Sequence, residues 1–330
     1  MVNKIDETFI GQKILFLDGL SNLYHDGIVQ CLNDMGATVC SRVFQNYGNN
    51  NFLSKLLRKL VNKKEKLNLD RLLDSLESNY DIVLVKNPAL ANHDFFIKLR
   101  KKIPNARFIN YNWNSLKMYN FLPYVKYFDK VITFDIKDAK ENNLNYYPLF
   151  YLKDFENLAV RADNWKYDVS FVGSAFGEER RNFIRSFIER LSEYDLSHNI
   201  YLLVRSKRNY IKYKYLTPKN ALTNTYGFLY VSKKKLLKIV SCSKSFVDYK
   251  RPFQSGHDMR TFETLAAGQM LITNDTLIRE CDFYDPARII IIDEKNKNYD
   301  LLPLKSYVPS FPVGFEKYRI DNWLKNILSD

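Results

Sequence analysis

The chain has 330 residues, of which 46% are hydrophobic and 15% aromatic, and its formal net charge is +13. This length fits two domains of about 150 residues each, and no apolar run reaches the ~18 residues that a membrane-spanning helix needs. The charge favours an anionic partner, namely nucleic acid, an anionic membrane face or a phosphorylated small molecule. The four cysteines are scattered singly, which indicates reduced thiols in a cytoplasmic protein and argues against a disulfide framework or a zinc site.

The first half of the chain alternates short apolar runs with amphipathic segments. The run KILFLD at 13–18 is a predicted strand that ends in Asp18, and a helix is predicted at 27–36. Such alternation predicts βαβ units and a parallel, doubly wound sheet. The other elements of this half are predicted at 80–87, 106–112, 129–135 and 145–149 for strands, and at 92–103 and 136–143 for helices.

Residues 51–68, NFLSKLLRKLVNKKEKLN, place leucines on one side of a predicted helix and basic residues on the other. A basic amphipathic helix of this kind can lie on an anionic membrane face. The alternative is a helix that packs on the sheet and keeps its charged face in water.

The second half repeats the alternation after a polar segment without a clear period, residues 153–167, which we interpret as a linker. The sequence therefore predicts two α/β halves of similar size. In the second half, strands are predicted at 168–174, 199–205, 244–249, 269–275 and 287–294, and helices at 178–194, 232–242, 259–268 and 314–330.

The phrase MRTFETLAAG, residues 259–268, predicts a short helix that stops at Gly268. Arg260 and Glu263 stand three residues apart, opposite the apolar face of this helix. Ligands of open α/β sheets bind outside the carboxyl ends of the strands, where helix N-termini attract anions. We therefore expect Arg260 to face an anion and Glu263 to accept hydrogen bonds from sugar hydroxyls. The alternative is an i,i+3 salt bridge on a solvated helix face.

Two stretches carry a resemblance to a known family. MRTFETLAAGQMLITND resembles the R-x-F-E-x-L-A-x-G segment of GT-B glycosyltransferases, especially their CgeB-like (spore-maturation type) group, which is glycosyltransferase family 1-like. YDVSFVGSAFGEERRNFI resembles the strand and arginine-bearing helix that open the nucleotide-binding domain of that group. The resemblance spans roughly residues 125–295 and is specific across 168–275.

This resemblance implies a GT-B architecture, in which two Rossmann-like, doubly wound domains face a cleft. We expect an acceptor-binding domain at 1–155, a nucleotide-sugar-binding domain at 156–312, and a C-terminal helix at 313–330 that crosses back onto the N-terminal domain.

The resemblance also implies roles for particular residues. Glu263 would bind the ribose hydroxyls of the sugar nucleotide, and Arg260 with the helix N-terminus would bind its diphosphate. Thr261 would also bind the donor, and Gly173 with Ser174 would allow close backbone approach at the domain cleft. Many retaining GT-B enzymes carry a second glutamate eight residues before the ribose-binding one, where this chain has Ser255. The choice between inverting and retaining transfer therefore stays open.

Basic residues follow two predicted strands on the expected binding side. A cationic cleft can neutralise a diphosphate leaving group without metal, and no D-x-D carboxylate pair stands in a suitable loop. We therefore expect a metal-independent reaction without a cofactor. The alternative is a set of solvated basic loops. The candidate donor-binding residues of this kind are Arg205, Lys207, Lys250, Arg251 and His257.

In the N-terminal half, the loop DGLSNLYHDG follows the first strand. His25 or Asp26 is a candidate base for an acceptor hydroxyl, and Asp18 is a further candidate. The alternative is that Asp26 caps the helix and His25 lines the loop. Asn112 and Trp113, at another strand end, are expected to contact a sugar, unless Trp113 belongs to the core.

Together these features favour a glycosyltransferase that moves a sugar from a UDP- or GDP-type donor to a hydroxyl of a surface glycan or its lipid-linked precursor. Such an enzyme would be cytoplasmic, either free or peripheral on the inner face of the membrane. One alternative is a nucleic-acid-binding protein, because tyrosines and basic residues interleave in RSKRNYIKYKYL at 205–216. No recognised nucleic-acid motif is present, so no specific nucleic acid is expected. A catalytically inactive GT-B scaffold is the other alternative.

Overall fold

The computed structural model describes residues 8–19, 22–44, 69–162, 165–216, 222, 224–292 and 299–329. The chain divides into two compact units. The N-terminal unit comprises Met1–Leu149, Phe253–Gly256 and Ile320–Asp330, and the C-terminal unit comprises Phe150–Pro252 and His257–Arg319. The amphipathic helix expected at 51–68 lies outside the described residues.

The N-terminal unit is built on a six-stranded parallel sheet. Its strands are Lys13–Asp18 (β1), Thr38–Val43 (β2), Ile82–Lys86 (β3), Arg107–Asn112 (β4), Lys130–Thr133 (β5) and Asn145–Tyr146 (β6), in the order β2-β1-β3-β4-β5-β6. Its helices are Leu23–Asp34 (α1), His93–Lys102 (α2), Ile136–Asn142 (α3) and the final helix Ile320–Leu328, and residues 69–74 are also helical. This sheet confirms the predicted doubly wound α/β class.

Buried apolar runs form the central strands, as their sequences predicted. Every residue of β3 is buried, because helices cover both faces of a parallel sheet. Helix α2 packs Phe95, Phe96 and Leu99 into a core that also contains Val83 and Phe108. The pattern TVCSRV did not predict β2, whose side chains are mostly half-buried, because β2 is an edge strand and lacks a continuous apolar run.

The final helix completes the core of the N-terminal unit. Trp323 is buried, donates from Nε1 to the carbonyl oxygen of Pro148 at 3.1 Å, and meets the ring of Tyr111 edge-on at 4.8 Å between centroids. Arg107 donates to the carbonyl oxygen of Leu328 at 3.0 Å. These contacts tie the last residues of the chain to β4.

The C-terminal unit is built on a second six-stranded parallel sheet. Its strands are Tyr167–Ser174 (β7), His198–Leu203 (β8), Tyr226–Gly227 (β9), Ser243–Asp248 (β10), Met270–Thr273 (β11) and Ile289–Ile291 (β12), in the order β12-β11-β10-β7-β8-β9. Its helices are Glu178–Glu193 (α4), Lys207–Ile211 (α5), Lys233–Ser241 (α6), Met259–Ala266 (α7) and Pro303–Ser306 (α8), and Lys212–Leu216 forms one π-helical turn after α5.

The described part of the segment interpreted as a linker, residues 153–162 and 165–167, is instead packed onto the C-terminal unit. Phe155 and Ala159 are buried. The backbone N–H of Asn157 donates to the carbonyl oxygen of Ala266 at 2.8 Å, and that of Ala159 to Ala267 at 2.9 Å. The linker interpretation was wrong because backbone groups make these hydrogen bonds. Backbone groups are alike in every residue, so such packing requires no periodic pattern of side chains in the sequence.

The start of α1 also differs from the sequence-based expectation. The helix begins at Leu23, four residues before the predicted start, and Asn22 caps it by accepting from the N–H groups of Tyr24 and His25. The alternative in which Asp26 caps this helix is therefore wrong. Among the described helices, none is both long enough and apolar enough to cross a membrane.

Candidate functional site

The carboxyl ends of three neighbouring strands meet at one edge of the C-terminal sheet. Strand β10 lies between β11 and β7 and ends in Asp248, while β7 ends in Gly173 and Ser174. Asp275 follows β11 after one residue. This edge is where ligands bind in open α/β sheets.

Helix α7 starts beside this edge and is held by its apolar face. Phe262, Leu265 and Ala266 are buried. The helix ends as predicted at Gly268, which has φ +82° and no room for a side chain, because a Cβ there would lie 2.4 Å from Cγ2 of Val160. At the other end, the side chain of the N-cap residue Asp258 makes no capping hydrogen bond.

Arg260 and Glu263 form an ion pair within α7. Arg260 Nη1 lies 2.8 Å from Glu263 Oε2, and the two side chains are only 16% and 1% exposed. The Arg260 guanidinium also lies 4.6 Å above the ring of Phe246. The i,i+3 pair therefore exists, but the interpretation of a solvated pair is wrong, because its carboxylate is removed from water.

Thr261 and Asp248 connect α7 to the end of β10. Thr261 Oγ1 donates to Asp248 Oδ2 at 2.6 Å, and both residues are buried. Burial raises the pKa of Asp248 to about 7, and the nearby charge of Asp258 adds to this rise. Asp248 thus changes charge near neutral pH at the edge where an anion would bind.

Lys250 and His257 both bind Asp275. His257 Nδ1 lies 2.6 Å from Asp275 Oδ2, and the Lys250 ammonium contacts the other carboxylate oxygen. Burial alone would raise the pKa of Asp275, but His257 and Lys250 hold it below its usual value. The thiol of Cys281 lies 2.9 Å from His257 Nε2, and burial raises the pKa of this thiol to about 12. The cluster therefore fixes Lys250 and His257 in place.

Arg180, in the first turn of α4, is a candidate site residue that the sequence reasoning missed. Its guanidinium donates to the carbonyl oxygens of Ser174 and Tyr249, both at 3.3 Å. Burial lowers the pKa of Arg180, Asp258 opposes that change, and the like charge of Arg251 adds to it. Arg180 therefore connects the end of β7 with the residue that follows β10. The available signal was an arginine in the first turn after a strand ending in Gly-Ser.

The other expected donor residues lie at strand ends but differ in surroundings. Gly173 is small for a packing reason, because a Cβ there would lie 2.5 Å from the ring of Phe171. Ser174 Oγ accepts from the N–H of Phe176 at 3.1 Å. Arg205 and Lys207 are exposed beyond the end of β8, two strands away from β10.

In the N-terminal unit, a buried polar cluster lies at the end of β1. Asp18 contacts the ammonium of Lys86, and its Oδ2 lies 3.3 Å from His25 Nδ1. His25 Nε2 lies 2.7 Å from Ser41 Oγ, and the His25 ring stacks on Phe16 at 4.9 Å. Both ring nitrogens of His25 are therefore engaged.

Lys86 was also missed by the sequence reasoning. Burial lowers its pKa to about 8, although the charge of Asp18 acts in the opposite direction. The Lys86 ammonium lies 3.5 Å above the ring of Trp113. Asn112, predicted to contact a sugar, is buried and donates to Asn110 Oδ1 at 2.6 Å, so this side chain supports the sheet rather than facing a ligand.

Comparison with known proteins defines the fold. No protein-family model and no curated protein sequence matches the chain. The solved apo structure of the lipopolysaccharide outer core galactosyltransferase WaaB matches with a TM-score of 0.58 at 11% identity, over 96% of this chain and 99% of that one. The catalytic domain of starch synthase IV from Arabidopsis thaliana, bound to ADP and acarbose, matches with a TM-score of 0.56 at 11% identity, over 97% and 96%. The chain has the GT-B fold.

The chain departs from the retaining GT-B pattern at Ser255, and the structure shows what this serine binds. Its backbone N–H donates to Asp135 Oδ2 at 2.8 Å and its hydroxyl contacts the same carboxylate. The N–H of Lys137 donates to Ser255 Oγ at 2.8 Å. Ser255 therefore anchors Phe253–Gly256 within the N-terminal unit of this GT-B chain.

Two further expectations for a GT-B enzyme concern a base and a metal. Asp26 is exposed in the first turn of α1, whereas His25 is buried. Within the described ranges, no three His, Cys, Asp or Glu side chains are grouped so that they could hold a metal ion. Independence of metal and cofactor stays a prediction.

Proposed function

We propose that this protein is a glycosyltransferase that moves a sugar from a nucleoside diphosphate sugar, of UDP or GDP type, to a hydroxyl of a surface glycan or its lipid-linked precursor. The observation that carries the proposal is the edge of the C-terminal sheet, where Arg180 donates to the carbonyl oxygens of Ser174 and Tyr249 and where α7 begins. The same helix carries the buried pair of Arg260 and Glu263. Similarity to the folds of WaaB and starch synthase IV supports the assignment.

The donor is proposed to bind with its diphosphate at the guanidinium groups and its ribose at α7. The Arg180 guanidinium is a planar donor at these strand ends, and such a group suits phosphate oxygens. Glu263 would accept hydrogen bonds from ribose hydroxyls while Arg260 pairs with the same carboxylate. Neutralisation of the leaving diphosphate by arginines would supply electrostatic stabilisation without metal.

The cluster around Asp275 is proposed to position the donor site. Lys250 and His257 bind Asp275 directly, so their charges are already compensated. They hold the segment that leads into α7 against β11. Thr261, which donates to Asp248, holds the first turn of α7 in the same way.

On the acceptor side, we favour His25 over Asp26 as the base. Asp18 lies near Nδ1 and would fix the tautomer in which Nε2 accepts a proton. Because Nε2 contacts Ser41 Oγ at 2.7 Å, an acceptor proton reaches it either through this hydroxyl or after its displacement. The four free cysteines support a cytoplasmic location for the reaction.

The first test measures binding of UDP and GDP by calorimetry to the full chain and to Arg180→Met. Loss of a hydrogen bond to a charged group should weaken diphosphate binding about ten- to a hundredfold, while binding of the free nucleoside stays unchanged. Arg185→Met is the matched control, because Arg185 lies on the same helix and donates to Asn182 on its surface. Glu263→Gln should weaken binding of both nucleoside diphosphate and nucleoside.

Absence of binding to any nucleoside diphosphate, or equal affinity in Arg180→Met and the parent chain, would contradict the proposal. Release of UDP or GDP from the corresponding nucleotide sugars, followed enzymatically, separates an active enzyme from an inactive GT-B scaffold that only binds the donor.

A further inference from the structure

Residues 196–247 of the C-terminal unit contain eleven lysines and arginines and no aspartate or glutamate. This stretch supplies most of the formal net charge of +13. Two of its lysines are compensated from outside it, since Lys233 pairs with Asp154 and Lys244 with Asp168. A strongly positive segment of this size attracts an extended anionic partner.

Large apolar side chains are exposed within the same stretch. Five of them are between 49% and 75% exposed, whereas most apolar side chains of this size lie in the core. Exposed apolar groups that cluster mark an interaction surface rather than ordinary surface variation. They are Ile211, Tyr215, Leu216, Leu229 and Tyr230.

Ring contacts bring together the two segments that carry these residues. The ring of Tyr210 lies 6.3 Å from that of Tyr215 and 5.9 Å from that of Phe228. The Arg205 guanidinium lies 5.8 Å above the ring of Tyr230. The end of α5 with its π-helical turn and the segment after β9 therefore lie side by side. We call the five exposed apolar residues and the neighbouring cations the basic apolar surface.

The cations of the basic apolar surface are exposed and alternate with its apolar groups. They are Arg205, Lys207, Arg208 and Lys212. Tyr213 points the other way and stacks on Tyr226 at 5.2 Å. This contact holds α5 and the π-helical turn against β9. The exposed side of this helical segment therefore has a fixed position in the unit.

We infer that the basic apolar surface docks the protein onto an anionic lipid bilayer. Aromatic and aliphatic side chains enter the boundary between headgroups and acyl chains, and lysines and arginines attract anionic headgroups. Leu216, Leu229 and Ile211 have no ring to stack on a base, so their exposure favours a bilayer over single-stranded nucleic acid, which needs stacking platforms. The charge complementarity is with an extended surface, because these cations lie beside exposed apolar groups of two segments, 211–216 and 229–230.

This docking surface lies in the C-terminal unit, in the segments that follow β8 and β9. It goes beyond the proposed function, because a soluble acceptor would need no bilayer. The carboxyl ends of parallel strands share one edge of the sheet. A bilayer at the ends of β8 and β9 would therefore face the same edge of the sheet as Arg180 and α7. A lipid-linked acceptor in that bilayer would then lie on the side of the proposed donor site.

The test is sedimentation of the full chain with vesicles of phosphatidylcholine alone or of equimolar phosphatidylcholine and phosphatidylglycerol. We expect binding to the anionic vesicles only, decreasing as salt is added. Leu229→Ser/Tyr230→Ser and, separately, Lys207→Glu/Arg208→Glu should each weaken the partition about tenfold or more. Circular dichroism spectra and melting temperatures would verify that both variants fold.

Two matched controls lie elsewhere on the molecule. Val308→Ser/Val313→Ser removes exposed apolar groups, and Lys101→Glu/Lys140→Glu reverses exposed charges. Both should bind like the parent chain. The inference is overturned if the parent ignores anionic vesicles, or if the controls weaken binding as much as the surface variants. It is also overturned if single-stranded oligonucleotides bind this surface and vesicles do not. Calorimetry with UDP or GDP on the same variants keeps this result separate from donor binding.

Discussion

Two buried aspartates, Asp18 and Asp248, end central strands of the two sheets, yet their surroundings differ. Asp18 contacts the ammonium of Lys86 and lies near His25. Asp248 accepts a hydrogen bond from Thr261, and burial together with Asp258 raises its pKa to about 7. The N-terminal carboxyl group therefore has a lysine and a histidine as partners, whereas the raised pKa of Asp248 lets the C-terminal carboxyl group keep a proton toward neutral pH. A protonated Asp248 would not repel an incoming diphosphate.

The largest loss of folding stability at the two clusters should come from Lys86→Met. Removal of one partner from a buried ion pair leaves Asp18 without its cation, which typically costs about 3–5 kcal/mol. Urea unfolding, followed by circular dichroism, measures this loss.

The control for Lys86→Met is Lys137→Met, which removes an exposed lysine that pairs with Glu141 and should leave the midpoint unchanged. The double variant Asp18→Asn/Lys86→Met should be more stable than Lys86→Met alone. If the double variant is less stable, the Asp18 charge is not what destabilises the single variant.

Asp248→Asn should change the free energy of unfolding less than Lys86→Met does, and this change should depend on pH. The pKa of Asp248 is about 7 in the folded chain, above its value of ~3.9 in an unfolded chain. The folded state therefore holds the extra proton between pH ~4 and ~7, so the stability that this group contributes falls as pH rises through that window. Each unit of pKa difference corresponds to about 1.4 kcal/mol.

The Asn variant lacks this titration, so its stability relative to the parent chain should rise between pH 5 and pH 8. Urea unfolding at both pH values measures the difference. Asp300→Asn, at an exposed position, should show no such change. A constant difference between Asp248→Asn and the parent would show that Asp248 is already ionised at pH 5.

The smallest loss of folding stability is expected for substitutions of the N-cap residues of α1 and α7, which lie beside the two clusters. Asn22 accepts from two N–H groups at the start of α1, so Asn22→Ala should lower the free energy of unfolding by about 1 kcal/mol. Asp258 makes no side-chain capping bond to α7, so the loss of capping in Asp258→Ala should lower the free energy of unfolding less. Urea unfolding of both variants measures the two losses. Equal losses would mean that capping does not distinguish the two helices.

The fold was predictable because most strands are continuous apolar runs and most helices carry one apolar face. KILFLD and YDIVLVKN gave strands close to their observed bounds, and Gly268 marked the end of α7 through its backbone conformation. The edge strand β2 has no such run. Residues 153–167 were misinterpreted because their packing depends on backbone groups, which are alike in every sequence.

The candidate site was only partly predictable. Arg260 and Glu263 are neighbours in sequence, so their pairing follows from helical spacing. Lys86 contacts Asp18 because β1 and β3 pair in a register that joins residues 68 positions apart, such as Ile14 and Ile82. Partners at such separations leave no local pattern, and the same holds for His25 with Ser41. Which of the predicted donor residues contact a ligand stays a prediction.

The final helix has a consequence for how this chain is made. Trp323 fills the core of the N-terminal unit beside Tyr111, although more than two hundred residues are synthesised between them. The ribosome must therefore synthesise the whole C-terminal unit before the N-terminal unit acquires the buried ring of Trp323. Until then the nascent chain exposes an apolar surface on β4, so translation speed and chaperone access should govern the yield of native protein more than for a unit built from one continuous stretch.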